Sequence, residues 1–447
     1  MKATRKGSRI NQIALIACLA LVSAVLVAAP ASGHTVVEWV SVSNTGDPGN
    51  GDAIGFRQGI SRSGRFVAFS STASNLVEND DNSSADIFVH DRKTSTTTLV
   101  SFAIDGTPGN GDSVHPAISS DGRFVAFESL ASDLITTDSN SDRDVFVRDR
   151  RTGTTTRVSV ASDGSQATAP GFSAMIPSIS GGGRFVVFNS ESPDLVANDT
   201  NGAIDTFVHD RETSKTKRVS VRSNGAQADL GGGSGEISGD GRFVTFSSQA
   251  DDLVDGDTNG SLDVFVHNRA TGKTKRVSVR SNGRQGNEDS FMGAISITGR
   301  FIAFHSNATN LVQGDANDEA DVFVHDRSTG KTTLESVTPD GEASDDVSRN
   351  PSLSGNGRLL AFDSTSSNLV PGDTNDDEDI FVRNLTTDKT RRVNLRANGR
   401  ECDDAFFGSE HPFMSADGRF VVFKSDSTNL VPGDNDGDTD MFVAGPL

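Results

Sequence analysis

Between residues 35 and 447 the apolar residues fall in short runs bounded by Gly, Asn and Asp, and one arrangement is written seven times. Its marker is a Gly-Arg pair that opens an apolar run: Gly64-Arg65, Gly122-Arg123, Gly183-Arg184, Gly241-Arg242, Gly299-Arg300, Gly357-Arg358 and Gly418-Arg419. Successive markers stand 58, 61, 58, 58, 58 and 61 residues apart. The fourth copy predicts strands over Gly235–Ser238, Phe243–Ser248, Asp263–His267 and Lys275–Val279. A tight turn over Gly239–Arg242, an acidic loop from Asp251 to Leu262 and the turn Ala270-Thr271-Gly272 join them. In Phe243-Val244-Thr245-Phe246 large apolar residues fall on both faces, so the sheet must be covered on both sides. A four-stranded unit that repeats at a fixed period and cannot bury its own faces must stack on its neighbours. The architecture predicted is all-β, a seven-bladed β-propeller.

The chain ends say how the ring closes. The last copy stops at Asp440-Met441-Phe442-Val443 without a fourth strand, while Thr35–Val42 matches the fourth-strand segment Lys275–Val279. The N-terminal strand is therefore expected to complete the last blade and leave no open edge. The other arrangement is six blades and a stray hairpin. No linker interrupts the period, so residues 32–447 read as one domain.

Ahead of it, Lys2, Arg5, Lys6 and Arg9 precede the apolar stretch Ile13–Ala29 and the small residues Ala29-Pro30-Ala31. That order predicts a secretory signal peptide over residues 1–31, with an uncleaved anchor as the alternative. Leu15-Ile16-Ala17-Cys18 looks like a lipoprotein cleavage box, but the apolar run continues past Cys18. Without residues 1–31 the chain holds 37 basic and 61 acidic residues, a net charge of −24. Such a charge repels nucleic acid and anionic membranes and suits a protein that binds cations. One cysteine remains, Cys402, expected to be buried. An extracytoplasmic monomer, secreted or periplasmic, is the expectation.

Phrases such as Ser119-Ser120-Asp121-Gly122-Arg123-Phe124-Val125-Ala126-Phe127, and Asp144–Asp149 before Thr152-Gly153, resemble the WD40-like (PD40) repeat of the TolB family. The resemblance covers residues 35–447. It departs in the Arg that replaces the usual Lys and in a longer, acidic loop between second and third strands. TolB-like propellers serve as protein-binding platforms and related blades occur in peptidases and lyases, so the resemblance implies fold directly and function by analogy.

The acidic loops are the chemical feature. Alternate positions read Asp80, Asn82, Ser84, Asp86; Asp138, Asn140, Asp142, Asp144; Asp199, Asn201, Ala203, Asp205; and Asp257, Asn259, Ser261, Asp263 in the first four copies. The rest read Asp315, Asn317, Glu319, Asp321; Asp373, Asn375, Asp377, Asp379; and Asp434, Asp436, Asp438, Asp440. Oxygen side chains at alternate loop positions are how proteins surround Ca²⁺. The spacing matches the first half of an EF-hand loop, but Gly445 stands where the bidentate Glu would be, and the loops look more like the short calcium loops of integrin-type FG-GAP repeats. Calcium is expected in the second, fifth, sixth and seventh copies, whose third position is a carboxylate. The competing reading is that Asp and Asn make Asx turns and cap the third strand.

All these loops should line the face where the inner strands begin. There the residues aligned before Pro116 and Pro412 are Arg57, His115, Ile176, Ser234, Met292, Asn350 and His411. His115, His411 and Arg57 are adjacent on the ring and are candidates for anion binding, metal binding or proton abstraction; a solvated mouth with incidental polar residues is the plainer reading. His90, His209, His267 and His325 recur at one position and read as structural. With no tyrosine, one tryptophan and no Gly-x-Ser-x-Gly elbow, sialidase, sugar-stacking and serine-hydrolase chemistry are disfavoured. The absence of basic stripes argues against nucleic-acid binding. The preferred function is an exported platform for a protein or other extracytoplasmic ligand, with calcium ordering its loops. A lyase or hydrolase at the channel mouth is the alternative, and a purely structural surface protein the third.

Overall fold

The computed structural model describes residues 35–54, 58–168, 175–315, 317–375, 377–403, 408–434 and 437–447. The expected signal peptide, Arg57 and Asp436 lie outside the described residues. Within them, seven four-stranded antiparallel sheets stand in a ring as a seven-bladed β-propeller. Among the described residues no helix is long and apolar enough to cross a membrane. The N-terminal strand Val37–Trp39 pairs with Asp440–Ala444, with Val37 opposite Ala444 and Trp39 opposite Phe442. The seventh blade is closed by the N-terminus as the sequence pattern requires.

In the fourth blade the strands are Gly233–Ile237, Phe243–Ser248, Asp263–Asn268 and Lys273–Arg276, counted outward from the axis. The outer strand thus starts and ends earlier than the apolar pattern suggests. Past Arg276 the chain already turns towards the next blade, Val277 N donating to Val264 O and Val279 bridging Gln285.

Each blade carries one cross-strand Phe pair on its second and third strands, such as Phe246 opposite Phe265, with ring centroids 5.7 Å apart and both rings fully buried. The other face presents Val264 and Val266, equally buried. Such aromatic pairs add about 0.5–1.5 kcal/mol beyond their burial.

The Gly-Arg marker joins neighbouring blades. Gly122 has φ +75°, and a β-carbon there would collide with the ring of Phe66 in the preceding blade. Arg123 pairs with Asp149, Nε to Oδ1 at 2.9 Å, and lies 4.4 Å from the centroid of Phe124. The next blade adds a second guanidinium to the same ring, Arg211 at 4.5 Å. Arg211 is held in turn by donating Nη1 to Gly183 O at 2.6 Å. Phe66, Phe185, Phe243 and Phe420 are each shared by two arginines in the same manner.

On the third strands, His90, His209, His267 and His325 are buried and hydrogen-bonded to Thr97, Thr216, Thr274 and Thr332 of the outer strands. Each threonine donates to a carbonyl of the preceding crossing segment, Thr274 Oγ1 to Val221 O at 2.5 Å for example. These histidines are structural links between blades.

Two outcomes follow. Gly106 has φ +89° but open space around it, whereas Gly122 has neither a usual backbone nor room. Gly106→Ala should cost about 1 kcal/mol and Gly122→Ala several times more in thermal unfolding; equal losses would show that the Phe66 contact is unimportant. Secondly, burial pushes His209 and His267 from 6.5 down to about 4. The unfolded chain then takes up protons that the folded one refuses. Stability from these groups is full above about pH 6.5 and is lost as the pH falls towards 4, on the order of 3 kcal/mol for each at the acid limit. His267→Gln should make the melting temperature less sensitive across that window.

Candidate functional site at the channel mouth

The inner strands of the second to seventh blades are bulged, and each bulge holds a residue in the left-handed region: His115, Ile176, Ser234, Met292, Asn350 and His411, with φ between 47° and 57°. These are the positions read from the sequence before the inner-strand proline. In the first blade the left-handed residue is Gln58, at φ 46°. Strained positions of this kind cost energy and are kept where they aim a side chain.

Gln58 divides the channel. Its Nε2 donates to Ser178 Oγ at 2.7 Å and faces Glu236 Oε1 at 3.4 Å, while its Oε1 accepts from Ile179 N at 2.9 Å. One residue of the first blade thus reaches the third and fourth blades. On one side of it lies an apolar chamber ringed by Ile60, Ile118, Ile179, Ile237, Ile295, Leu353 and Met414, one from each blade. On the other is a mouth lined by Glu236, Met292, Asn350, His411 and Pro412. The ends of the acidic loops meet this mouth, because among the described residues five of them hand a carbonyl to the start of the next inner strand, as in Ser409 N to Glu378 O at 2.7 Å.

Among the described residues, His115 and His411 each have carboxylate neighbours on their own blade. His115 Nδ1 contacts Glu128 of its own blade, and Arg143 Nη1 stands 3.5 Å from the same carboxylate. His411 Nε2 lies 3.4 Å from Glu410, whose carboxylate pairs with Lys424 Nζ at 2.7 Å. The His411 amide donates to Asp363 Oδ2 at 2.9 Å, and Asn350 Nδ2 donates to the same oxygen at 2.8 Å. Asp363 is fully buried and its Oδ1 has no hydrogen-bond partner. Burial pushes its carboxyl upward, eased by Asn350 and His411. Glu378 is pushed up still further by burial and then by the charges of Asp363 and Glu410, against the pull of Arg349 and Lys424.

The sequence reading missed Asp363, Glu378 and Lys424, although a signal was there. At the fifth position of the second strand the blades read Ser70, Glu128, Asn189, Ser247, His305, Asp363 and Lys424, whereas the sixth is serine in all seven. A position that is always polar yet takes six residue types in seven blades, inside a repeat that is otherwise uniform, marks a place the fold does not dictate.

The acidic loops also differ from a bare ligand ring. Asn140, Asn201, Asn259 and Asn317 accept from the amide two residues on and donate to a backbone carbonyl of the following segment, which is the Asx-turn geometry. The last Asp of the loop accepts from a serine of the crossing segment, as in Ser278 Oγ to Asp263 at 2.5 Å. In four blades an arginine of the outer strand bridges the first and last Asp. Arg157 lies 3.2 Å from both Asp138 and Asp144, and Arg218 lies 2.9 Å from Asp199 and 3.0 Å from Asp205. Arg276 lies 2.8 Å from both Asp257 and Asp263, and Arg392 lies 2.7 Å from Asp373 and 2.5 Å from Asp379. Leu99, Leu334 and Trp39 hold that register in the first, fifth and seventh blades. The sequence reading did not include these arginines.

No protein-family description matches this chain, and no curated protein matches it. Among solved structures it is similar to an oligogalacturonate lyase in complex with manganese, at 14% identity over 93% of this chain and 97% of the other, with a TM-score of 0.54. An oligogalacturonate lyase from Vibrio parahaemolyticus follows at 13% identity over 92% and 97%, TM-score 0.53. The β-propeller domain of the Trilobed protease from Pyrococcus furiosus matches at 9% over 88% and 95%, TM-score 0.52. TolB from Acinetobacter baumannii is matched at 12% identity over 86% and 81%, with a TM-score of 0.38. The two lyases and the protease domain, each with a TM-score above 0.5, share the fold.

Carboxyls raised by burial stabilise the fold only while protonated, so their contribution is present at acid pH and is lost as the pH rises above the ordinary carboxylate range. Glu378→Gln should therefore raise the melting temperature at neutral and alkaline pH and flatten its decline. An unchanged pH profile would remove Glu378 from the buried cluster.

Proposed function

We propose that this propeller is an exported binding platform that recognises a protein or other extracytoplasmic ligand at the mouth formed by its sixth and seventh blades. The observation that carries this reading is the gathering of Asp363, Glu378, Glu410, His411 and Lys424 in one sector. Buried and half-buried ionisable groups cost stability, and a repeat that uses serine at the Asp363 and Lys424 position in other blades, as at Ser70 and Ser247, does not need those two for folding. Groups that break a local rule without stabilising the fold are where function is expected. Calcium ordering of acidic loops on the same face belongs to this reading.

A second reading is acid–base catalysis at the same place, and it is favoured by the raised carboxyls of Asp363 and Glu378 beside Lys424 and His411. The similar folds of two oligogalacturonate lyases make acidic sugars the first substrates to try.

The test compares capture of ligands from extracytoplasmic extract by the wild type, Lys424→Glu and Arg242→Glu, the last lying on the Gly-Arg turn face. Loss of tenfold or more in retention with Lys424→Glu, and little change with Arg242→Glu, is the expected result. Equal retention by all three would reject the mouth as the recognition centre. Turnover by the wild type on a panel of uronates, esters and lactones, abolished in Asp363→Asn, would move the reading to catalysis.

A further inference from the structure

Resting on the calcium part of the reading above, we propose that the fifth blade's loop holds a divalent cation between Asp315 and Asp321, at the place that an arginine guanidinium fills in the second, third, fourth and sixth blades. The seven loops start from one design, a first and a last aspartate facing each other. Two carboxylates so placed need a positive charge between them. Arg157, Arg218, Arg276 and Arg392 supply it internally, each Nη1 lying within 3.2 Å of both aspartates. In the fifth blade Leu334 pairs with Phe323 in that register and carries no charge. Its loop is also acidic, with Asp318 and Glu319 between the two aspartates.

The carboxylate oxygens point to the same conclusion. Asp321 is fully buried; its Oδ1 accepts from Ser336 and Ser344, whereas Oδ2 is buried without a hydrogen-bond partner within 3.5 Å among the described residues, as is Oδ1 of Asp315. The neighbouring Asn317 amide donates to Ser344 O at 2.9 Å and eases the Asp321 carboxyl, but as a neutral group it brings no charge to the pair. Buried carboxylate oxygens left in this way are costly unless a cation meets them. The first blade differs, since Asn82 Nδ2 donates to Asp86 Oδ2 at 2.7 Å. Among the described residues no three His, Cys, Asp or Glu side chains converge as a ready-made cage. The cation must therefore complete its shell with backbone oxygens and water. Calcium tolerates such a shell of six to eight oxygens; magnesium demands a near-ideal octahedron.

The experiment titrates calcium chloride into chelator-stripped protein lacking residues 1–31, following stoichiometry by calorimetry and melting temperature in parallel. Leu334→Arg should lower the stoichiometry by one and raise the melting temperature measured in chelator, because the guanidinium now does the cation's work. Asp315→Asn should also lose one equivalent, which keeps the test sound if Leu334→Arg does not fold. Arg276→Leu should do the reverse, gaining one equivalent and becoming dependent on calcium for its stability. Uptake of calcium by the wild type with the same stoichiometry in Leu334→Arg and Asp315→Asn overturns the fifth-blade assignment and leaves calcium ordering elsewhere intact. No uptake by the wild type overturns both, while the channel-mouth reading answers only to its own variants.

Discussion

The ring depends on the joints between blades, five of which are a phenylalanine clasped by arginines from two blades. Phe124 meets Arg123 of its own blade and Arg211 of the next, while the glycine after the next turn, Gly183, leaves room for its edge. A blade lacking its neighbour would expose that ring, lose the second cation–π contact and leave the bonded arginine without its platform. The contact is worth about 1 kcal/mol at each site, but it sets the angle and distance of one blade to the next, and errors would accumulate around a closed ring. The sixth blade departs at both of its joints, with Leu385 in the arginine's place beside Phe301 and Leu359 in the ring's place beside Gly418, so shape matters there more than charge.

Because the joints lie on the Gly-Arg turn face and in the sheet interior, the opposite face is free to vary. Its inner strands repeat a bulge that aims one side chain per blade, and the fold accepts Ile176, Met292 or His411 there alike. Gln58 separates that polar mouth from an apolar chamber of isoleucines. The buried Asp363 and the half-buried Glu378, Glu410, His411 and Lys424 of the sixth and seventh blades are therefore not part of what closes the ring.

The acidic loops show how one scaffold answers one electrostatic demand in different ways. Where the outer strand ends in arginine, the guanidinium neutralises two facing aspartates from within the chain. Where it ends in Leu99, Asn82 donates to the last aspartate of its loop, and where it ends in Leu334 the strand supplies no charge to Asp315 and Asp321. The loop sequence alone ranks the second and sixth blades as good calcium sites by their third-position carboxylates, because Arg157 and Arg392 stand 19 residues from Asp138 and Asp373 and belong to a different strand.

Periodicity alone determined the blade count, the four-strand unit and closure by Val37–Trp39, because each follows from local patterning repeated at fixed spacing and from chain ends that lack complementary pieces. The buried state of Cys402 and the structural role of the recurring histidines were also legible, since a residue repeated blade after blade serves what every blade shares. The tertiary structure decided which unlike residues meet. Asp363 reaches the amide of His411, 48 residues away in the next blade, only because adjacent blades pack second strand against inner strand. Gln58 meets Ser178 and Glu236 only because the ring brings the first, third and fourth blades to a common axis. A period describes what is common to the blades, and a site is made of what differs between them across contacts that no single repeat contains.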